Sequence, residues 1–324
     1  MTSTMSMADV RVGIVSWNTA ALLDSCLAAL PAALGGLDAE VVVVDNASDD
    51  GSAAVARQHA GVTVIENAAN VGYARAMNQA LAGAGVCTLV ALNPDTQPGP
   101  GSLAALVAQL RARPDVGVVV PRLTNLDGSP QHSAYRFPTV AVALAVGLLP
   151  VSATRGRLGR HFGLEAAGPT DRDGPIDWAI GAVHVVRADA LDGEQPYSER
   201  WFMYVEDVEL CWRLRQRGWT THLDAGVTVP HVGNAAGAIA WGATREARYW
   251  QNTYDFVALT RGTRYARGLA VANVAGVLRH LLVSAVIGLF GGEGRGRGRE
   301  QARRLVRVLP AHLRALRDPQ ADEG

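Results

Sequence analysis

Glu40-Val41-Val42-Val43-Val44, running straight into Asp45-Asn46-Ala47-Ser48-Asp49-Asp50-Gly51, is the stretch that decides the fold. Four consecutive valines leave no polar alternation, so neither side of the segment faces water. β-Branched residues in that setting suit a parallel strand covered by helices on both faces. The polar stretch that follows marks the strand's carboxyl end and a turn. Outward from here the pattern repeats. Val10–Trp17 is a β-rich run and Leu22–Leu34 has helical spacing. Ser52–His59 reads as helix, Val62–Glu66 as strand, Tyr73–Ala84 as helix, Val86–Leu92 as strand, Leu103–Arg113 as helix and Val116–Val120 as strand. Alternation of this kind predicts an α/β protein with a doubly wound, mostly parallel sheet.

Ligands of such sheets bind beyond the carboxyl ends of the strands. Polar residues stand there four times: Ser16 and Asn18 after the first strand, Asp45 after the second, Asn67 and Asn70 after the third, Asn93 and Asp95 after the fourth. Asn, Asp and Ser also make turns, which accounts for any one cluster. Four clusters on one edge point to a ligand.

The chain has 324 residues, one large domain or two small ones. With 48% apolar and 19% charged residues it has enough side chains to fill a core, which excludes a disordered or coiled-coil chain. Thirty acidic residues cancel 30 basic ones, so bulk charge gives no reason to expect nucleic acid as a partner. Every basic residue is arginine, which excludes lysine Schiff-base chemistry and the P-loop lysine. Cys26, Cys87 and Cys211 are sparse and odd in number, which argues against a disulfide framework or a zinc site and fits a reducing compartment. Each is expected to be a buried small hydrophobe. The first residues show no basic stretch followed by an apolar one, so no secretion signal is expected, and no run of 18 uncharged apolar residues is present.

Residues 122–176 are irregular and rich in Gly, Pro and Arg, with an apolar run at Val140–Val151 interrupted by Pro150. Ile176–Arg187 reads as a strand, Glu206–Arg217 as a helix, Trp219–Leu223 and Val227–Val229 as short strands. Thr244–Thr260 is aromatic and helical; Leu269–Leu289 is apolar around Arg279 and His280. Between Arg295 and Arg317 eight arginines face one acid, Glu300. The expected division is a domain over 1–240, with a nucleotide-binding half at 9–120 and an acceptor half at 121–240, followed by a helical, arginine-rich extension over 241–324.

Four groups of residues could carry chemistry. Asp45, a carboxylate at a buried strand's end, needs a hydrogen-bond partner or a ligand. It could accept from a base N–H or a ribose hydroxyl, or cap the next helix, a role for which Asp49 is better placed. Asp95 in Asn93-Pro94-Asp95 is a natural Mg²⁺ or Mn²⁺ ligand beside phosphates, although the tripeptide is also a good turn. Glu206-Asp207-Val208-Glu209 opens a helix that ends in Arg213, Arg215 and Arg217. Acids first and bases last match the helix dipole, and Asp207 could also serve as a general base. Tyr197–Tyr204, with Trp201 and Phe202, could form an acceptor-side wall. His231, after Pro230 and before a Gly-rich stretch, is either structural or a neutral imidazole completing a metal shell with Asp95.

The order of these elements resembles the inverting glycosyltransferases of the GT-A family 2, most closely their bacterial rhamnosyltransferase branch. The resemblance spans about residues 9–235. It is carried by Ile14–Asn18, Val43–Gly51, Asn70–Asn78, Leu92–Asp95, Asp177–Ala182, Phe202–Arg213 and His231. It implies a GT-A fold with a C-terminal helical appendage. Asp45 would contact the nucleotide base with the Ser16–Asn18 turn, and Asn70, Gly72, Arg75 and Asn78 would line the nucleotide and sugar site. Asn93 and Glu206 join the substrate-binding set, and Trp178 and Gly181 match the loop under donor sugar and acceptor. Asp95 matches the metal-binding carboxylate, standing in Asn-Pro-Asp where many relatives have Asp-x-Asp, with His231 as a further ligand of Mn²⁺ or Mg²⁺. Asp207 matches the catalytic base. The implied reaction moves a sugar, foremost L-rhamnose from dTDP-rhamnose, to a lipid-linked or polysaccharide acceptor of the cell envelope. UDP-galactofuranose and UDP-hexoses stay open as donors.

A nucleotidyltransferase would carry a Gly-rich basic loop where Ser16-Trp17-Asn18-Thr19 stands. A dinucleotide-dependent oxidoreductase would carry G-x-G-x-x-G there, and only Gly13 is present, inside the strand. A sugar-nucleotide-binding protein with a decayed site is countered by the acids at 45, 95 and 207. The arginine-rich tail reads as a solvated or disordered face, or as one drawn to anionic lipid. Val140–Val151 and Leu269–Leu289 could lie in the membrane interface, be buried, or contact a second copy of the chain. The expected location is cytoplasmic, peripheral on the inner face of the plasma membrane.

Overall fold

The computed structural model describes residues 9–83, 85–150, 172–233, 245–290 and 295–320, with the isolated Gly159. In chain order the elements are β1 (Val10–Ser16), α1 (Ala20–Leu34), β2 (Ala39–Asp45), α2 (Ser52–Arg57), β3 (Val62–Glu66), α3 (Tyr73–Leu81), β4 (Thr88–Leu92), α4 (Ser102–Ala112) and β5 (Val116–Thr124). There follow β6 (Ala134–Tyr135), α5 (Val140–Leu148), β7 (Gly174–Ile176), β8 (Trp178–Ala179), β9 (Val183–Arg187), α6 (Glu206–Gln216), β10 (Thr220–Pro230), α7 (Arg245–Arg261), α8 (Thr263–Phe290) and α9 (Arg295–Arg317). They fall into two compact units: Met1–Tyr135 with Pro169–Ala236, and Arg136–Gly168 with Gly237–Gly324.

The first unit is built on a sheet of order β3-β2-β1-β4-β9-β5-β10-β7. β1 to β4 run parallel, as do β5 and β10, while β9 and β7 are antiparallel to their neighbours. The valine run is covered on both faces. Val43, with Ile14, Val90 and Leu92, packs under Leu23, Leu27 and Leu30 of α1 and Leu103 and Leu106 of α4. Val42 and Val44 face the other way, toward Met77 and Leu81 of α3 and Leu210 and Leu214 of α6. Each such side chain contributes at most about 1.5–3 kcal/mol of burial. Gly13 has a packing reason: a Cβ there would lie 2.8 Å from Leu81 Cδ2, so its absence lets α3 close on β1.

Several sequence expectations change. Ile176–Arg187 is divided among three short strands, with breaks at Asp177 and around Gly181, and β7 and β9 both run against the parallel strands. Trp219–Leu223 and Val227–Val229 are parts of one strand, β10, with a bulge between Asp224 and Thr228. Val140–Leu148 is the helix α5 and belongs with the C-terminal helices rather than with residues 121–240. Cys26 and Cys211 are buried, but Cys87 is exposed, because it precedes β4 at the sheet's rim. Val151, Asn234–Gly237 and Thr244 lie outside the described residues.

In the second unit, α5 and α8 meet through Gly147 and Gly276, where a Cβ on either would lie 2.7 Å from the other's Cα. A buried Tyr254–His312 hydrogen bond of 2.7 Å ties α7 to α9, and Asn273 of α8 donates to Tyr254 Oη at 2.8 Å. Burial pushes the His312 imidazole down to about 4, so it stays neutral and accepts the Tyr254 proton. The arginine-rich tail is helical, with Arg304 2.7 Å from Glu246. By length and composition Thr263–Val286 can cross a membrane. Val271, Leu278, Leu282 and Val286 form an exposed apolar stripe along it, with Arg264 and Arg267 exposed at its start.

Candidate active site

Because β9 is antiparallel to both β4 and β5, β5 and β10 point the same way as β1–β4. Six carboxyl ends and the beginning of β9 therefore share one edge. Asn18, Asn46, Asn67, Asn93 and Asn125 follow β1 to β5, His231 follows β10, and Gly181 precedes β9.

At the β1–β2 end, Asp45 is 4% exposed. Its Oδ2 accepts the Ser48 amide at 3.2 Å, whereas Oδ1 is buried with no hydrogen-bond partner among the described residues. Such an oxygen suits a ligand N–H or O–H. Asn18 is left-handed (φ 53°) and knits the two strand ends together: its amide donates to Ser48 Oγ, and its Oδ1 accepts from the Asp49 amide at 2.8 Å. Ser16 is fully buried with Oγ 2.9 Å from Thr19 Oγ1, so its side chain serves the start of α1. Asp49 does not cap the next helix: the N-cap of α2 is Gly51 without a side-chain cap, and it is Asp50 Oδ1 that accepts from both the amide and the hydroxyl of Ser52.

Asn46, not singled out from sequence, is the hub of the next turn. Its Oδ1 accepts from Asn67 Nδ2 and the Val71 amide, and its Nδ2 donates to Asn70 Oδ1 at 2.9 Å. Asn70 Oδ1 also accepts the Gly72 amide. Gly72 has φ 87°, and a Cβ there would lie 2.5 Å from Phe202 O. The Tyr73 amide donates to that same carbonyl at 2.8 Å, so α3 begins against the segment that leads into α6. Arg75 is exposed, 4.0 Å from Glu199. Asn78 is buried and its amide is taken up by protein: Nδ2 donates to Tyr197 O and Oδ1 accepts the Tyr197 amide. Asn78 thus holds the 195–199 loop in place.

Past β4, Asn93 Oδ1 is buried without a hydrogen-bond partner among the described residues. Asp95 and His231 are both buried and face each other, His231 Nε2 lying 3.3 Å from Asp95 Oδ1. Their segments are laced together by Val232 N donating to Asp95 O and Gln97 N to Pro230 O, while His231 N donates to Thr124 O at the end of β5. One carboxylate oxygen and one imidazole nitrogen side by side fit a divalent ion such as Mn²⁺. No cluster of three or more His, Cys, Asp or Glu stands among the described residues, so phosphate and water oxygens would complete the shell.

Glu206 and Asp207 open α6. Val205 at its N-cap has φ 81° and Tyr204 φ 73°, two successive left-handed residues that aim the carboxyls. Asp207 Oδ2 accepts the Gly181 amide at 3.2 Å and Oδ1 accepts the Val208 amide at 2.8 Å. Glu206 Oε2 is buried with no hydrogen-bond partner among the described residues. Removal from water raises both acids, Asp207 to about 6 and Glu206 to about 8, and for Glu206 the Asp207 charge adds to it. With two N–H donors against none for Oε2, Asp207 is the one that ionises first. Tyr73 joins the two ends of the site. Its hydroxyl points to Gly181 O at 3.4 Å, and burial, then Glu206, Asp207 and Asp95, push its phenol well above the usual range.

The expected aromatic wall divides. Tyr197 and Trp201 are buried in the core, while Phe202 is 40% exposed. Trp178 is buried too, stacked 4.8 Å from Tyr135 across the β6–β8 pair. Tyr73 and Asn46 are the participants that sequence reasoning missed; the signal available was their place at strand and helix ends.

The family model for "Glycosyl transferase family 2" matches residues 11–163. An N-acetylglucosaminyl-diphospho-decaprenol L-rhamnosyltransferase of Mycobacterium tuberculosis is 29% identical over 231 residues, 67% of this chain and 74% of that protein. A low-salt glycan biosynthesis hexosyltransferase of Haloferax volcanii is 25% identical over 185 residues, 55% of this chain and 54% of that protein. A solved mannosyltransferase of Pyrobaculum calidifontis, in complex with GDP-Man and Mn²⁺, has a TM-score of 0.59 at 18% identity. The match covers 97% of this chain and 88% of that chain, a likeness of fold.

Proposed function

We propose that the chain, whose residues 11–163 match the family 2 glycosyltransferase model, transfers L-rhamnose from dTDP-rhamnose to a lipid-linked glycan of the cell envelope, inverting the anomeric carbon. The observation that carries the reading is the pairing, around Tyr73, of a base carboxylate with its own N–H donors, Asp207, and a buried carboxylate–imidazole pair, Asp95 and His231. The choice of sugar and acceptor is supported by the name of the mycobacterial relative.

In this reading Asp207 takes the proton from the acceptor hydroxyl as its oxygen attacks the sugar. The bond between the anomeric carbon and the diphosphate oxygen breaks on the opposite face, and the nucleoside diphosphate leaves with the electron pair. No protein nucleophile takes part. Asp45 Oδ1 accepts from the donor's base or ribose, and Asn93 Oδ1 and Gly181 border the sugar. Asp95 and His231 would hold a Mn²⁺ or Mg²⁺ ion, which when bound supplies positive charge against the diphosphate. Glu206 stays protonated beside the ionised Asp207.

The apolar stripe of α8 and the arginines of the C-terminal unit support a cytoplasmic protein that rests on an anionic lipid surface. Flotation with vesicles rich in anionic lipid tests this: co-flotation is expected, and a soluble dimer with no vesicle binding would replace lipid by a second copy.

Thermal-shift assays with nucleotide sugars, each with Mn²⁺, Mg²⁺ or EDTA, test the donor. A ligand at about 100 times its Kd stabilises by about 2.7 kcal/mol. A metal-dependent shift with dTDP-rhamnose is expected. A shift with UDP-sugars alone would replace the donor, and no shift with any nucleotide would overturn the transferase reading.

A further inference from the structure

His231 has a second ring nitrogen, and the structure accounts for it through a loop that nothing in the sequence reading used. Past β5 the chain makes a tight turn at Gly128 (φ 80°), with Gly128 N donating to Asn125 O and Asn125 N to Ser129 O. Inside it, both the Ser129 amide and the Ser129 hydroxyl donate to Asp127 Oδ1, the hydroxyl at 2.6 Å. Those bonds hold the Asp127 carboxyl below its ordinary range, so it is ionised and only accepts.

The direction of every following bond is then forced. Ser129 has spent its one proton on Asp127, so toward Asn125 it can only accept, and Asn125 Nδ2 donates to it at 2.9 Å. That turns Asn125 Oδ1 the other way, where it accepts from Gln131 Nε2 at 3.3 Å. Gln131 Oε1 is thereby left facing His231 Nδ1, 2.7 Å away. An amide oxygen cannot donate, so Nδ1 must carry a proton. Space for the Gln131 amide is kept by Gly233, where a Cβ would lie 3.2 Å from Gln131 Nε2. With Nδ1 protonated, Nε2 is the ring atom that faces Asp95 Oδ1, 3.3 Å away. Nε2 has no hydrogen-bond partner of its own among the described residues.

We propose that Asp127, Ser129, Asn125 and Gln131 form a polarity relay that fixes the His231 tautomer, with Gln131 as the positioning residue of the Asp95–His231 cation site. The proposal rests on the metal reading above for its consequence, but not for the tautomer itself. Outer-shell partners of this kind are worth about 10–100-fold in metal affinity.

The test uses the full chain. ¹⁵N NMR of the imidazoles, with a His231→Phe variant for assignment, reads which nitrogen is protonated, and Mn²⁺ affinity is read by EPR. Wild type is expected to show Nδ1–H. Gln131→Met, which offers no acceptor, should bind Mn²⁺ about 10–100-fold more weakly, and Gln131→Glu, whose carboxylate accepts from Nδ1, should restore most of that loss. An unprotonated Nδ1 in wild type overturns the relay. An Mn²⁺ affinity of Gln131→Met within twofold of wild type overturns its role toward the metal. Absence of Mn²⁺ binding by wild type would sink the metal reading, while the tautomer measurement would still decide the relay.

Discussion

Asp207 and Glu206 are adjacent carboxyls in the first turn of α6, and their surroundings give them different tasks. Asp207 has two amide donors; Glu206 Oε2 has none. Activity that needs ionised Asp207 should rise with pH through about 6, the value to which burial lifts it. Asp207→Asn should lose about 100- to 10,000-fold in turnover while donor binding, read by calorimetry, stays near wild type. Glu206 predicts a stability trend of definite sign. Its folded value, about 8, lies above its ordinary 4.5, so its contribution is fully present below about pH 4.5 and is lost as pH rises through about 8. Glu206→Gln cannot ionise, so its melting temperature relative to wild type should climb across that window; parallel melting curves from pH 5 to 9 would refute the assignment.

At the scale of elements, the first five strands and four helices were legible because valine and leucine runs alternate with helical spacing, and the strand ends are marked by Asn and Asp. The direction of β9 was not legible: a run such as Val183–Arg187 reads the same in either orientation, and only pairing with Leu92 and Val119 decides it. The candidate site's position was legible where one residue stands at one strand end, as Asp45 and Asp95 do. It was not legible where it depends on partners far apart in the chain. Gln131 sits in a turn-forming sequence and meets His231 a hundred residues on. Asn78 looked like a ligand contact because a polar residue on an early helix face carries no mark of the loop it will bind. Gly72 belongs to this scale as well. Gly72→Ala would place a methyl 2.5 Å from Phe202 O at a φ of 87°. A loss of about 2–4 kcal/mol in urea unfolding is expected, along with reduced turnover, because the carboxyls of α6 follow that segment.

At the scale of the whole molecule, the C-terminal helical unit is assembled from two separate stretches. α5 precedes β7 in sequence, yet packs on α8 through Gly147 and Gly276. A chain ended after Ala236 would keep α5 and lose its partner. Size-exclusion chromatography with light scattering is expected to show aggregation of that variant, relieved when residues 136–168 are also replaced by a short polar linker.

The placement of β9 also sets an order of events during synthesis. β4 and β5 never pair with each other; the strand between them is made after both. Until Val183–Arg187 leaves the ribosome, the facing sides of β4 and β5 stay open, each a row of unpaired amides and carbonyls exposed to wrong partners. Their closure waits on a contact between distant parts of the chain, which is slow by its topology. Gly181, whose amide holds Asp207, arrives with that strand. β10, made later still, ends next to His231, so the candidate site's edge is complete only when the last strand is in place, and recovery of activity on refolding should follow the slowest phase.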